Sequence, residues 1–426
     1  MAFGFDLRLD LPRSEDDLRA AVHGLNTDVS ASLNRAADSF ETAFNASGIA
    51  SAFNQGAIRD ALDHSGLAGI SIGNLDDLAA AAQRLPGGLG QPDATGEVPT
   101  GSSDVSRVEV AVLASLAATP RIVEALGPTT QTVDVQGESF AVAHRYADLT
   151  SGFSAVRLDP VGGGPPVFAI DGLEVGSHAD EVAAATLGRL QVESAAFATL
   201  VADATAAGQA LDVPISFAGA SLGGAVAQVA AYETAQALAA AGQSGADETR
   251  LVTVDALGGR DTAEAVNGGV LDPHALGLIT ALNIRTDGDV VSRIGSHIGA
   301  TLTLPALDAA GNPVTLSAAD AHVNIGSLLQ NLSSDERFAQ GHLGAPAEIS
   351  GLSQASDAAA DAVIAAWLAS GQHDDPNPGD LQLPGTASFD ATGTVWSLDA
   401  DNNGTVDFMA HLSAPIDQAR ADLVLG

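Results

Sequence analysis

Apolar residues recur at helical spacing through residues 14–85, first as Leu18, Val22, Leu25, Val29 and Leu33 and later as Leu75, Leu78 and Leu85, with Ser14 and Asn74 placed as N-caps. This predicts a helical N-terminal region over 1–85. From Pro86 to Asp104 large apolar side chains almost disappear and Gly, Pro, Ser and Thr take over, so 86–104 reads as a linker. The pattern then changes. Short β-like runs (FAVAHRY, FSAVRL, PPVFAI, VPISFAG, LVTVDAL, ALNIRT) alternate with alanine-rich helical stretches at 179–208, 222–241 and 261–267. Parallel strands need crossovers of roughly a dozen residues or more, usually helices, so this alternation predicts an α/β unit with a mainly parallel sheet. A helix-like segment at 355–370 completes a domain spanning 105–372. DDPNPGD follows as a second linker, and a β-like tail ending in DLVLG makes up 373–426. No period of 20 to 50 residues is visible, which argues against a solenoid.

Charge and composition narrow the chemistry. The net charge is −36 and all the basic residues are arginine, because the chain has no lysine. Such a surface repels nucleic acid and anionic lipid, so no nucleic-acid partner is expected. Without lysine there is no Walker loop, Schiff-base lysine or Ser-Lys dyad. Without cysteine there are no disulfides, thiol nucleophiles or cysteine-ligated metals. Ser, Thr, Asp, Glu and His are left to act. No apolar run reaches the roughly 18 residues of a membrane span, so no transmembrane segment is expected. The start, MAFGFDLRLDLPRSEDDL, lacks an apolar signal core, so no Sec-type signal is expected either.

Two stretches fit G-x-S-x-G: Gly69 to Gly73 around Ser71, and Gly219 to Gly223 around Ser221. A nucleophile elbow needs a buried strand before the serine and a helix after it. Only the second has both, VPISFAGA in front and AVAQVAAYETAQAL behind, so Ser71 reads as a loop serine. The helix N-terminus would aim positive charge at a developing oxyanion, with the Leu222 amide as one donor. A serine hydroxyl needs a histidine base and a carboxylate to orient it, and in α/β-hydrolases the chain order is Ser, acid, His. ALNIRT leads into DGDVV, which offers Asp289 as the acid and Asp287 as the alternative. The candidate bases are His297, His322 and His342.

VPISFAGASLGGAVAQVAA resembles the G-H-S-L-G-G-A elbow of class 3 lipases and of related bacterial lipases and phospholipases exported by type I secretion. TDGDVVSRIGSHIG is similar to that family's acid segment, which implies Asp289 as catalytic acid and a structural role for His297. DAHVNIGSLLQNL resembles the base segment and favours His322, with His342 second. PPVFAIDGLEV stands where the family has its R-G-T oxyanion turn, implying Gly172 and Leu173 as source of the second oxyanion amide, and Gln191 matches a helix before the elbow. Two departures stand out. Ala220 replaces the histidine before the nucleophile, and Ile170-Asp171-Gly172-Leu173 lacks the Arg and Thr of R-G-T, which leaves only backbone donors. The resemblance covers about 135–335.

In the tail, Asp399, Asp401, Asn403 and Asp407 alternate with other residues around Gly404, as in the first half of a calcium loop; Ala410 stands where an EF-hand would have its Glu. The stretch from Thr392 to Gly426 resembles the C-terminal export region of serralysin-type metalloproteases and other type I cargo. This implies a secreted protein, the type I secretion apparatus as partner, and calcium as a structural ion with no cofactor for catalysis. The combined expectation is a secreted serine hydrolase of the α/β-hydrolase fold acting on carboxylic esters, most of all lipids, through Ser221, His322 and Asp289, with Leu222 and Leu173 at the oxyanion. The alternatives are a non-catalytic binding protein on the same scaffold, or a polyester or thioester hydrolase.

Overall fold

Ile215–Ala220 places apolar or small residues at every position, and five of the six are buried, which is the signature of a strand covered on both faces. In the computed structural model this strand is β5 of a 12-stranded sheet. The structure describes residues 107–173, 177–211, 214–242, 249–308, 311–323, 325–332, 335–338, 340–343, 354–371, 386–390, 394–399, 406 and 408–413. The strands are β1 (Thr130–Val135), β2 (Glu138–Asp148), β3 (Phe153–Pro160), β4 (Val167–Ile170), β5, β6 (Thr249–Val254), β7 (Ile279–Thr286), β8 (Ala300–Leu304), β9 (His342–Leu343), β10 (Thr386–Phe389), β11 (Val395–Asp399) and β12 (Phe408–Leu412). Their spatial order is β10-β11-β12-β1-β2-β3-β4-β5-β6-β7-β8-β9.

The block β4 to β8 is parallel and sits inside the sheet. Antiparallel β3, β2 and β1 extend it on one side, and β9 closes the other. The period of two along β5 splits the core. Phe217 packs with Phe168, Phe197 and the Ser221–Ala240 helix on one face, whereas Ala218 faces the helices Arg107–Leu116 and Thr119–Leu126 with Val252 and Ile284 on the other. A parallel block with helices on both faces, and a strand-to-helix turn carrying a serine at its centre, is the α/β-hydrolase fold.

The tail does contain strands, and they continue this sheet: β12 runs antiparallel to β1 with Val133 opposite Ala410, and β10 and β11 follow outward. The predicted N-terminal helices over 1–85, the 86–104 linker, Ser71 and the second linker all lie outside the described residues.

Candidate active site

Ser221 ends β5 and begins a twenty-residue helix, Ser221–Ala240. Its φ is 51°, in the left-handed region that a non-glycine residue enters at a cost, so the serine is held out on a strained turn. The turn closes because its neighbours lack side chains. A Cβ at Gly219 would strike the backbone of Gly223, and a Cβ at Gly223 would drive into the carbonyl of Asp171. The second glycine is therefore what lets the elbow lie against the turn after β4.

Asp289 hangs from a tight turn after β7, and His322 sits in the short helix Ala318–Val323 beyond β8. The structure brings both to the serine. Ser221 Oγ donates to His322 Nε2 over 2.9 Å, and His322 Nδ1 donates to Asp289 Oδ1 over 3.1 Å. Both Asp289 and His322 are buried. The 3₁₀ turn Val291–Arg293 aims two backbone amides at the carboxylate, Val291 N at Oδ1 (2.9 Å) and Ser292 N at Oδ2 (3.3 Å). Burial alone would lower the basicity of His322. The charge of Asp289 and its hydrogen bond outweigh burial, and the imidazole is raised above 6.5.

Leu222 is buried within the first turn of the elbow helix, where backbone amides have no intrahelical acceptor. Leu173 follows the turn after β4. Gly172 is no longer available as a donor, because its amide is bound by its neighbour Asp171 at 2.8 Å. Asp171 is in turn gripped by Arg121, from the helix Thr119–Leu126, at 3.0 Å, and a second Arg121 nitrogen donates to the Gly172 carbonyl at 3.4 Å. Arg121 thus braces this turn from a separate helix of the chain.

The remaining candidates fall elsewhere. His342 is exposed on edge strand β9, opposite Thr303. His297 is buried and its Nε2 bonds the Ala256 carbonyl at 3.0 Å, away from the serine hydroxyl. Asp287 is exposed and donates its amide to Leu304. Gln191, buried, donates to Asp180 and to the Gly152 carbonyl, fastening the helix before the elbow. Asp399 ends β11, while Asp401, Asn403 and Asp407 lie outside the described residues, as does most of the segment read as a candidate calcium loop. Among the described residues no group of three or more acidic or histidine side chains could hold a metal, and no helix is long and apolar enough to cross a membrane.

Besides Arg121, two further residues of the site were not foreseen. Gln228, buried in the elbow helix, donates to the Gly224 and Leu257 carbonyls and accepts from the amides of Gly259 (3.2 Å) and Ile298 (2.8 Å), locking two loops to the helix. Asp255 follows β6 and is fully enclosed beside Asp289 and His322. Its place just past a β-run, at the same sheet edge as Ser221 and Asp289, was a signal available in LVTVDAL.

No protein-family model matches the chain, and no curated protein matches it. Solved structures to which it is similar include three lipases. A triacylglycerol lipase from Penicillium expansum is 14% identical over 52% of this chain and 94% of that one, with a TM-score of 0.34. A lipase–propeptide complex from Rhizomucor miehei is 14% identical over 55% and 88%, with a TM-score of 0.33. A lipase from Rhizopus microsporus var. chinensis is 16% identical over 50% and 80%, with a TM-score of 0.34.

Proposed function

We propose that this protein is a serine hydrolase of carboxylic esters, with lipid esters as its substrate class. The observation that carries the reading is the chain of contacts from Ser221 Oγ to His322 Nε2 at 2.9 Å and from His322 Nδ1 to Asp289 at 3.1 Å, beginning at a strained elbow. In this reading Ser221 attacks the acyl carbonyl while His322 takes its proton, and Asp289 steadies the imidazolium that forms. The amides of Leu222 and Leu173 donate to the oxyanion. The intermediate collapses, His322 returns the proton to the leaving alcohol, and the acyl group stays on Ser221. Water then attacks the acyl-enzyme with His322 again as base, the carboxylic acid leaves, and the serine hydroxyl is restored.

Lipid as the substrate class rests on the resemblance of the elbow, acid and base segments to class 3 lipases. Export by a type I route, and a structural calcium at the tail, rest on the sequence of 392–426 alone. Circular dichroism that is the same in millimolar calcium and in chelator would remove the calcium part.

The test of the hydrolase reading is hydrolysis of short- and long-chain p-nitrophenyl esters by the wild type and by Ser221→Ala. Activity that disappears in the variant and grows with chain length supports a lipid-ester hydrolase. Equal inactivity of both proteins would leave the scaffold as a binding protein.

A further inference from the structure

A second carboxyl stands behind the proposed triad. Asp255 has a φ of 44°, so its backbone, like that of Ser221, is held in the left-handed region. It is buried, and among the described residues its side chain bonds only to Thr286. The Thr286 amide donates to Asp255 Oδ1 at 2.6 Å, and the Thr286 hydroxyl lies 3.0 Å from Oδ2. The carbonyl of that same threonine accepts the Asp289 amide at 3.1 Å. Thr286 therefore joins the two acids, one at its amide and one at its carbonyl. The loop that carries Asp255 also reaches the nucleophile, since the Leu257 amide donates to the Ser221 carbonyl at 3.2 Å.

Two carboxylates enclosed side by side cannot both carry charge cheaply. Asp289 takes the imidazole and two backbone amides, whereas Asp255 faces one amide and one hydroxyl. The hydroxyl can accept as well as donate, so a proton on Oδ2 has a partner waiting. We propose that Asp255 is a positioning residue of the active site: held as the neutral acid, it fixes Thr286 and through it the turn that presents Asp289, so that His322 works beside one carboxylate charge. The proposal rests on the hydrolase reading for its consequence in turnover, though not for the protonation it assigns. The titratable groups facing Asp255 are Asp289 from the turn after β7 and His322 from its helix, and His297 bonds the adjacent Ala256 carbonyl. Burial foremost, then the Asp289 charge, push the Asp255 carboxyl up to about 8, against the opposing pull of His322 and the Thr286 bonds.

The full chain, labelled with ¹³C at the aspartate carboxyls, tests this by NMR titration of the wild type and Asp255→Asn. The expected result is one carboxyl that keeps its proton to about pH 8 and is missing from the variant. If every aspartate carboxyl titrates in the ordinary acidic range, the proposal is overturned, whether or not the protein hydrolyses esters. Kinetics read the positioning role. Asparagine can keep both bonds to Thr286, accepting from the amide and donating to the hydroxyl, and alanine can keep neither. Asp255→Ala is expected to lower kcat about tenfold with KM little changed, the scale of a misplaced catalytic group. Asp255→Asn should recover most of that loss and retain the wild-type acid limb. An acid limb that moves down in the asparagine variant would mean that a charge had been removed, which contradicts a neutral Asp255. Absence of Ser221-dependent turnover in the wild type would sink the hydrolase reading by itself and leave the carboxyl titration to judge Asp255.

Discussion

Arg121 grips Asp171 at 3.0 Å across fifty residues of chain, and the turn it braces lies against Gly223 of the nucleophile elbow. Asp171 in turn takes up the Gly172 amide, which leaves the Leu173 amide as the second oxyanion donor in our reading. The brace is partly exposed, and such pairs contribute only about 0–1 kcal/mol to stability. Its expected value is positional.

Arg121→Met should therefore lower kcat for ester hydrolysis by about tenfold, because a donor displaced by a fraction of an ångström loses much of its effect in the transition state. KM and the thermal midpoint should barely move. A variant with wild-type kcat would show that the turn holds its shape without the arginine.

Gln228 offers a test of stability. Replacing it with leucine keeps the volume but strands the buried amides of Gly259 and Ile298, which now bond its oxygen. Each unsatisfied donor costs about 1–3 kcal/mol. Gln228→Leu should lower the denaturation midpoint accordingly. A leucine variant as stable as the wild type would mean that the two loops find other partners.

What the sequence could reveal follows from how local each feature is. The elbow was legible because Gly219, Ser221 and Gly223 lie within five residues and the strand and helix flank them directly. Asp289 could be placed from the end of the ALNIRT run, since a turn after a parallel strand is where this fold keeps its acid. The choice of His322 over His342 needed a family resemblance, because spacing alone does not tell a helix that turns inward from an edge strand that faces solvent. Arg121, Gln228 and Asp255 were missed for a common reason. Their partners are 50, 31 and 31 residues away, and a hydrogen bond over that separation leaves no periodic trace. The tail read as β-like, but its pairing with β1 depends on a register between segments 277 residues apart.

The pH dependence follows from His322. Asp289 raises its imidazole above 6.5, so the acid limb of kcat/KM should have its midpoint above 6.5, where the base gains its proton. Folding is linked in the same sense. The folded state holds this proton more tightly than the unfolded chain, so the stability from the pair is fully present below 6.5 and is lost as pH rises through the folded value. In Asp289→Asn the acid limb should move down and kcat should fall by on the order of 10⁴, the scale seen when an orienting carboxylate is lost. A pH profile with no such shift in the variant would remove Asp289 from the role given to it.

The most direct measurement is covalent. A fluorophosphonate needs a serine made nucleophilic by its base, so the purified protein should react with one equivalent, and peptide mass spectrometry should place the adduct on Ser221. Ser221→Ala should not label, and His322→Ala should label far more slowly. Labelling at another serine, or none in a folded wild-type protein, would contradict the account of Ser221 as an activated nucleophile.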